Sequence, residues 1–587
     1  MAAPAIADAF RLLQAGHAAA ALESACRVLA LQPANARAHL ASGLALRALG
    51  RIQESVAAIG EAARLDPRDY AAAYENGMAL KALGSEDARR CFENAVRLRP
   101  AFAPAHYALG MLAFERGDWA RAVAGLRAAA DLDPGNSAAA VNLGLALAEA
   151  GELQEAEERL QRAATKFDGL PAARHALGWT LLKRGRPGEA IGHLQAAVAA
   201  QSDARWRVDL AKALADAAQE NEAREEFEAA VASAPQDPFP RVAFGRYLVR
   251  LADYARAAQL FRSAWELAPA DVELPMYVAQ VELLRGRRRD AWHAYARRDP
   301  RIRFEAERAK AGFRYAPPPA QAVQGRHLLV HAEQGLGDEL FFLRFAALLR
   351  EHGARLSYIG DARLGPLLRR AGLFESVLAF GEAWPPGIAP VLCADLPSML
   401  PEDPTPPSLA IAPEAARVEV MRARLQRAGP RPWIGVTWRA GTPKEQLSHA
   451  LHKEAPIRHL FAALPRAGTV VSLQRDGHFE ELETASGALG APIHDFSNVN
   501  LDLDDALALL SLLDRHVGVS NTNMHLAAAA GATADVLVPF PPEWRWGLEG
   551  DSPWFPGFRV YRQSPSGDWS RAFAELANAS AGSMSRG

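Results

Sequence analysis

Between residues 327 and 345 the sequence reads HLLVHAEQGLGDELFFLRF: a short run rich in Leu and Val breaks at Gly335-Leu336-Gly337-Asp338, and apolar residues then return at helical spacing. The pattern predicts strand, glycine turn, helix. At the carboxyl edge of a parallel strand such a turn is where ligands bind, and Gly335 and Gly337 let a substrate come close to the backbone. Asp338 is then either a carboxylate facing that crevice or the N-cap of the helix that carries Leu340, Phe341, Arg344, Phe345 and Leu348. Metal and disulfide chemistry have no visible basis in the sequence. No cluster of His and Asp stands at ligand spacing, and Cys26, Cys91 and Cys393 are far apart and odd in number.

The elements that must position this turn belong to a long chain. At 587 residues several domains are expected, because single hydrophobic cores stop growing well below that size. Half the residues are hydrophobic and the formal net charge is −2, so nothing in the composition favours nucleic acid or a membrane as partner. No stretch reaches membrane-spanning length, and the N-terminal residues lack a basic segment followed by an uninterrupted apolar core. A cytoplasmic, reducing location is expected.

The first half is repetitive. Glycines at 43, 77, 110, 144, 178 and 245 and prolines at 33, 67, 100, 134, 235 and 269 recur at 33 or 34 residues or a multiple of it. Small residues recur after the glycines, at Ala122, Ala156, Ala190 and Ala257, and before the prolines, at Ala62, Ala129 and Ala163. This resembles the tetratricopeptide repeat, in which small residues let helices A and B cross closely and proline ends helix B. The resemblance runs from residue 2 to about 300, about eight or nine repeats, and keeps its period where the pattern weakens near 169–171 and 202–206. It implies an α-solenoid over 1–310 whose concave face grips an extended peptide or a partner helix. Asn76, Asn142, His175, Arg207 and Arg246, polar positions on expected A helices, are candidates for that groove, the alternative being a solvated helix face. The basic runs 285–289 and 298–310 read as solvated helix.

A proline-rich linker is expected over 311–325, since the run 317–319 cannot be helix interior. Beyond it strand candidates alternate with helices: 327–332, 355–360, 376–380 and 391–395, then, past a proline-rich connector at 397–413, 433–438, 469–473, 516–520, 534–540 and 558–562. The alternation predicts parallel α/β sheets, and the break between the groups predicts two of them facing one another across the active site, over 326–412 and 413–587. The repeat and α/β halves should be separable at the proline run.

The segments HAEQGLGDELFFLRF, GVTWRAG (435–441), LHKEAP (451–456), VSLQ (471–474), VGVSNTNMHLAAAAG (517–531), PFPPEWRWG and DSPWFP together resemble a GT-B glycosyltransferase of the heptosyltransferase-related type, a fold of two Rossmann-like halves found behind tetratricopeptide repeats in many bacterial proteins. The match covers about 327–569. The resemblance implies that Asp338 is the general base, that Lys453 meets the donor phosphates, and that Asn521, Thr522, Asn523 and His525 form a helix N-terminus beneath the donor pyrophosphate. A strand–loop–helix junction suits an anion, because it presents backbone amides and a positive dipole end. Gly335, Gly337 and Thr437 complete the expected donor crevice. Arg439, just past a strand, is a second phosphate ligand or a salt bridge between loops; His525 is a donor contact or a core histidine.

The chain departs from the family where an acidic residue usually precedes Thr and Ser: it has Ser520-Asn521-Thr522. This leaves the sugar open and raises the alternative of a site that has lost transfer. Trp544, Trp546, Trp554 and Phe555 either stack a nucleotide base or pack a domain crossing. The expected function is therefore an inverting, metal-independent transferase that moves a sugar from a nucleotide-sugar substrate, with no cofactor, to a hydroxyl of a protein acceptor gripped by the repeats. Proteins of similar layout glycosylate flagellin, which makes flagellin the leading acceptor. The competing expectation is a tetratricopeptide scaffold or chaperone whose glycosyltransferase-like half is degenerate.

Overall fold

The computed structural model describes residues 6–310, 312–384, 388–400, 404–440, 453–477 and 479–584; Gly441, Leu451 and His452 of the motifs above lie outside the described residues. Helices come first, as nine consecutive antiparallel pairs from Ile6–Gln14 with Ala18–Leu31 to Leu274–Leu284 with Arg288–Tyr295. The recurring glycines sit where the two helices of a pair touch. A Cβ at Gly43 would lie 2.3 Å from Ile59, and one at Gly144 would lie 2.4 Å from Leu160. The recurring prolines follow the second helix by two residues, as Pro33 follows Leu31 and Pro134 follows Leu132. There the missing amide costs nothing and the ring stops propagation.

By packing the chain divides into two compact units, Met1–Pro235 and Gln236–Gly587. The first holds seven helix pairs. The second holds the last two pairs, the helix Asp299–Lys310 and two parallel sheets. In the first sheet β1 (His327–His331) lies between β2 (Arg355–Gly360) and β4 (Ala389–Leu392), with β3 (Val377–Ala379) beyond β2. The second sheet has the order β10-β9-β8-β5-β6-β7, from β5 (Trp433–Thr437), β6 (Thr469–Ser472), β7 (Ile493–Asp495), β8 (Arg515–Val519), β9 (Asp535–Val538) and β10 (Arg559–Arg562). Counted within the sheet this is the doubly wound order 3-2-1-4-5-6 read from the other edge. β7 has no counterpart among the expected strands. It is a three-residue edge strand, too short for its alternation to show in the sequence.

The last helices are built into the first sheet. Arg298, read from the sequence as part of a solvated basic run, is only 2% exposed and lies between the ends of β1 and β4. Its guanidinium donates to Glu333 at 2.6 and 2.7 Å and to Asp395 at 2.7 Å. Tyr315, beside the proline run, donates to Asp395 at 2.7 Å. One helix earlier, Trp292 packs against Phe342 and Phe345 of the first sheet's side and against Trp544 and Trp554 of the second's. The opening of a doubly wound sheet between its first and fourth strands is where a ligand would sit. In the first sheet the chain's own Arg298 fills it. Packing thus divides the chain before the last two helix pairs, well ahead of the proline run.

Glu339 is buried behind β1 and accepts from the Tyr358 hydroxyl at 2.5 Å. Burial pushes its carboxyl up to about 7, the Tyr358 hydrogen bond pulling the other way.

A group whose folded pKa lies above its ordinary value stabilises the fold below that ordinary value and loses the contribution as pH rises to the folded one. Melting temperature should therefore fall between about pH 4.5 and 7 more steeply in the wild type than in Glu339→Gln; equal slopes would show that Glu339 is not held protonated. A fragment from Gln236 should melt in one transition, whereas one from Gln321 leaves Glu333 and Asp395 buried without Arg298. The loss of one partner of such a cluster costs on the order of 3–5 kcal/mol. Equal melting temperatures for the two fragments would contradict the role given to Arg298.

Candidate functional site

In the second sheet the opening lies between β5 and β8, with Thr437 and Asn521 beside it. Thr437, buried at the end of β5, accepts through Oγ1 from Asn521 Nδ2 at 3.0 Å. Gly518 is required opposite, since a Cβ there would lie 2.0 Å from that hydroxyl. Asn521 caps the helix Thr522–Ala529 by accepting from the Asn523 amide at 3.0 Å, and Asn523 Nδ2 donates to Asn500 at 3.2 Å. Part of this helix's N-terminal donor capacity is thus used within the chain. Lys453 is delivered by backbone pairing: the Ala440 amide donates to its carbonyl at 2.9 Å, and the Ala455 amide to that of Trp438 at 2.8 Å.

Charged side chains of alternating sign run across this opening. Lys453 Nζ lies 2.6 Å from Oε2 of Glu543, and Ser520 Oγ donates to the same oxygen at 2.8 Å. The other carboxylate oxygen of Glu543 is paired with Arg545, and Arg545 is paired in turn with Asp338. Burial alone would raise the Glu543 pKa, yet Lys453 and Arg545 hold it well below the usual carboxylate range. Burial likewise works against charge on Arg545, and Asp338 and Glu543 more than offset it. Neither Glu543 nor Arg545 was singled out from sequence. Their signal was a carboxylate and a guanidinium two residues apart inside EWRWG, an otherwise aromatic stretch.

Asp338 is not the N-cap. Gly335, with φ −71° and ψ 159°, holds that place, and the helix Leu336–Phe342 begins two residues before Asp338. The aspartate stands in the first turn, free of any capping bond, with its carboxylate on Arg545. Gly337 faces the other helix end: a Cβ there would come within 3.3 Å of the His525 ring and 3.6 Å of Thr522 Oγ1. His525 is buried, its Nδ1 has no partner among the described residues, and burial followed by the nearby Arg545 charge keeps it neutral.

Arg439 is diverted elsewhere. It pairs with Glu481 at 3.2 Å and donates to the Asp476 carbonyl, contacts of the kind that the salt-bridge reading expects. The aromatic cluster packs a crossing: Trp544, Trp546, Trp554 and Phe555 are all buried, with Phe341 against Trp544 and Trp554 and with Arg288 over Trp554 at 3.9 Å.

All five candidate groove residues fall on first helices of their pairs. Asn142 donates to Tyr107 at 2.8 Å and His175 pairs with Asp209 at 3.0 Å, linking neighbouring first helices. Asn76 and Arg207 turn instead to the second helix of their own pair, toward Cys91 and Glu226, and Arg246 is exposed. Around His175 the structure gathers a cluster that the spacing of single polar residues did not reveal. His175 stacks on Trp206 at 4.9 Å, and Trp179 lies under the Lys183 and Lys212 ammonium groups at 5.5 and 5.6 Å.

No helix among the described residues is long and apolar enough to cross a membrane. The sequence profile of the tetratricopeptide repeat matches residues 9–72, 40–86, 78–137, 107–171 and 175–238. A curated relative, Protein FlbA of Caulobacter vibrioides (strain ATCC 19089 / CIP 103742 / CB 15), is 28% identical over 370 residues, covering 58% of this chain and 60% of the relative. The chain thus spans about three fifths of the length of that relative. Among solved structures, YrrB, a tetratricopeptide protein with an unusual peptide-binding site, is 21% identical, covering 32% of this chain and 96% of its own, with a TM-score of 0.29. PilW, a type IV pilus biogenesis factor, is 20% identical, covering 34% and 94%, with a TM-score of 0.31. The helical half is a solenoid of tetratricopeptide repeats, followed by parallel α/β sheets.

Proposed function

We propose that the chain is a GT-B glycosyltransferase that moves a sugar from a nucleotide-sugar to a hydroxyl of a protein acceptor held by the repeats, with inversion and with side chains rather than a metal neutralising the leaving phosphate. The observation that carries this reading is the meeting of Asp338 and Lys453 on one network at the opening of a doubly wound sheet, 115 positions apart in sequence and joined through Arg545 and Glu543. In such a transfer the acceptor oxygen bonds to the anomeric carbon, its proton passes to the Asp338 carboxylate, and the bond from the anomeric carbon to the phosphate oxygen breaks with the electron pair left on phosphate. Lys453 and the N-terminal end of the helix Thr522–Ala529 would hold that charge. The Asp338 oxygen that pairs with Arg545 is open to an acceptor once Arg545 moves off it.

The acceptor side rests on the solenoid, whose class binds extended segments, and flagellin stays the leading acceptor on the resemblance of layout. A cytoplasmic location is part of the same reading. The second reading, a scaffold with an inactive α/β half, is favoured by one feature: both functional charges are already satisfied inside the chain. A nucleotide screen separates the two, because an inactive remnant would bind none while still capturing its partner through residues 6–235.

Asp338→Asn should lower the transfer rate by about 100-fold or more while nucleotide still binds; a normal rate at an unchanged melting temperature would remove the base assignment. Lys453→Ala should weaken nucleotide binding by about 1.5–3 kcal/mol, the size of one lost charge-assisted contact. Arg439→Ala distinguishes its two readings in the same titration: a phosphate ligand loses affinity, a loop bridge loses only melting temperature. Paired replacement of His175 and Trp179 by Ala should reduce sugar transfer to flagellin at sub-saturating acceptor and leave nucleotide affinity intact; unaltered transfer would move the acceptor groove elsewhere.

A further inference from the structure

Arg545 holds two carboxylates that come from different sheets. One is Asp338, in the first turn after β1; the other is Glu543, in the segment after β9. Its guanidinium is buried, lying 4.3 Å over Trp544 and 4.9 Å over Phe341, and its Nε has no hydrogen-bond partner among the described residues. The Glu543 carboxylate therefore bridges two cations, Arg545 on one oxygen and Lys453 on the other. A carboxylate and a phosphate offer the same thing to such a pair: two adjacent anionic oxygens that each take one charge-assisted bond. The site is thus built for an anion shared between Lys453 and Arg545, and Glu543 is the internal one. A buried guanidinium N–H left unmatched costs free energy until an acceptor arrives.

We propose that Arg545 is the second cation of the leaving-phosphate site, and that the donor phosphate draws it away from Asp338. This rests on the transferase reading above and adds an order of events to it. Without donor, the Asp338 carboxylate is engaged by the Arg545 guanidinium and not turned to an acceptor. When phosphate takes up Arg545, the carboxylate loses that partner and is released to face the acceptor. A sugar hydroxyl or a water entering an empty crevice would then meet no competent base, so hydrolysis is suppressed until both substrates are present.

The device makes a prediction that a purely structural arginine does not. Asp338 competes with phosphate for Arg545, so Asp338→Asn should bind the nucleotide more tightly than wild type. Calorimetry on the full chain with UDP, GDP, CDP, ADP and CMP as probes would select the nucleotide that binds. For it, Arg545→Lys should weaken binding by about tenfold or more, the equivalent of one charge-assisted contact. Asp338→Asn should tighten it by ~3-fold or more, since the competing ion pair is only partly exposed, and should change nothing in an Arg545→Lys background. Both substitutions are near-isosteric or charge-conserving, and melting curves check folding. If Asp338→Asn leaves affinity unchanged or weaker, or Arg545→Lys binds as wild type, while Lys453→Ala still loses affinity, the inference falls and the transferase reading stands. If wild type binds none of the five nucleotides, both fall together.

Discussion

The α/β unit depends on a row of charges that none of its members can leave alone. Asp338, Arg545, Glu543 and Lys453 alternate in sign, and Glu543 and Arg545 are almost wholly out of water. In that environment each ion is tolerable only because its neighbours compensate it, and removing one leaves an uncompensated charge. The surrounding aromatic residues follow from the same requirement. Trp544 and Phe341 lie against the Arg545 guanidinium and exclude water from it, while Trp554 and Phe555 close the crossing between the two sheets.

The helices before the sheets are part of the same construction. Tyr295 shares a hydrogen bond with Gln334, one residue before Gly335, and Arg298 holds Glu333, two residues before it. The turn that carries Asp338 is therefore supported from the last helix pair as well as from β1. Arg298 closes the opening of the first sheet, the opening of the second sheet is lined by Thr437 and Asn521, and the first sheet carries Asp338.

Much of this was legible in the sequence because it is local. The close crossings at Gly43 and Gly144 and the stops at Pro33 and Pro134 recur at a fixed period, and one repeat predicts the next. The strand–turn–helix around Gly335 is likewise a pattern within twenty residues. What escaped was non-local or masked by its neighbours. Arg298 finds its partners 35 and 97 positions downstream, so a basic run looks solvated until the fold brings Glu333 and Asp395 to it. Glu543 and Arg545 sit among tryptophans whose packing explained the segment well enough without them. Of the two readings of Asp338, the N-cap fails because Gly335 has the extended backbone that a cap requires, and the type of residue at 338 does not show where the helix starts.

In the proposed function the opening between β5 and β8 receives the nucleotide and its phosphates. Hydrogen exchange of the full chain with and without a bound nucleoside diphosphate tests it directly, because the segments concerned are far apart in sequence and are reported by separate peptides. Slowed exchange is expected in peptides spanning 433–440, 453–456 and 519–529, with the β1–β4 opening around 392–395 unchanged. Protection confined to 392–395, or to the helical repeats, would contradict it.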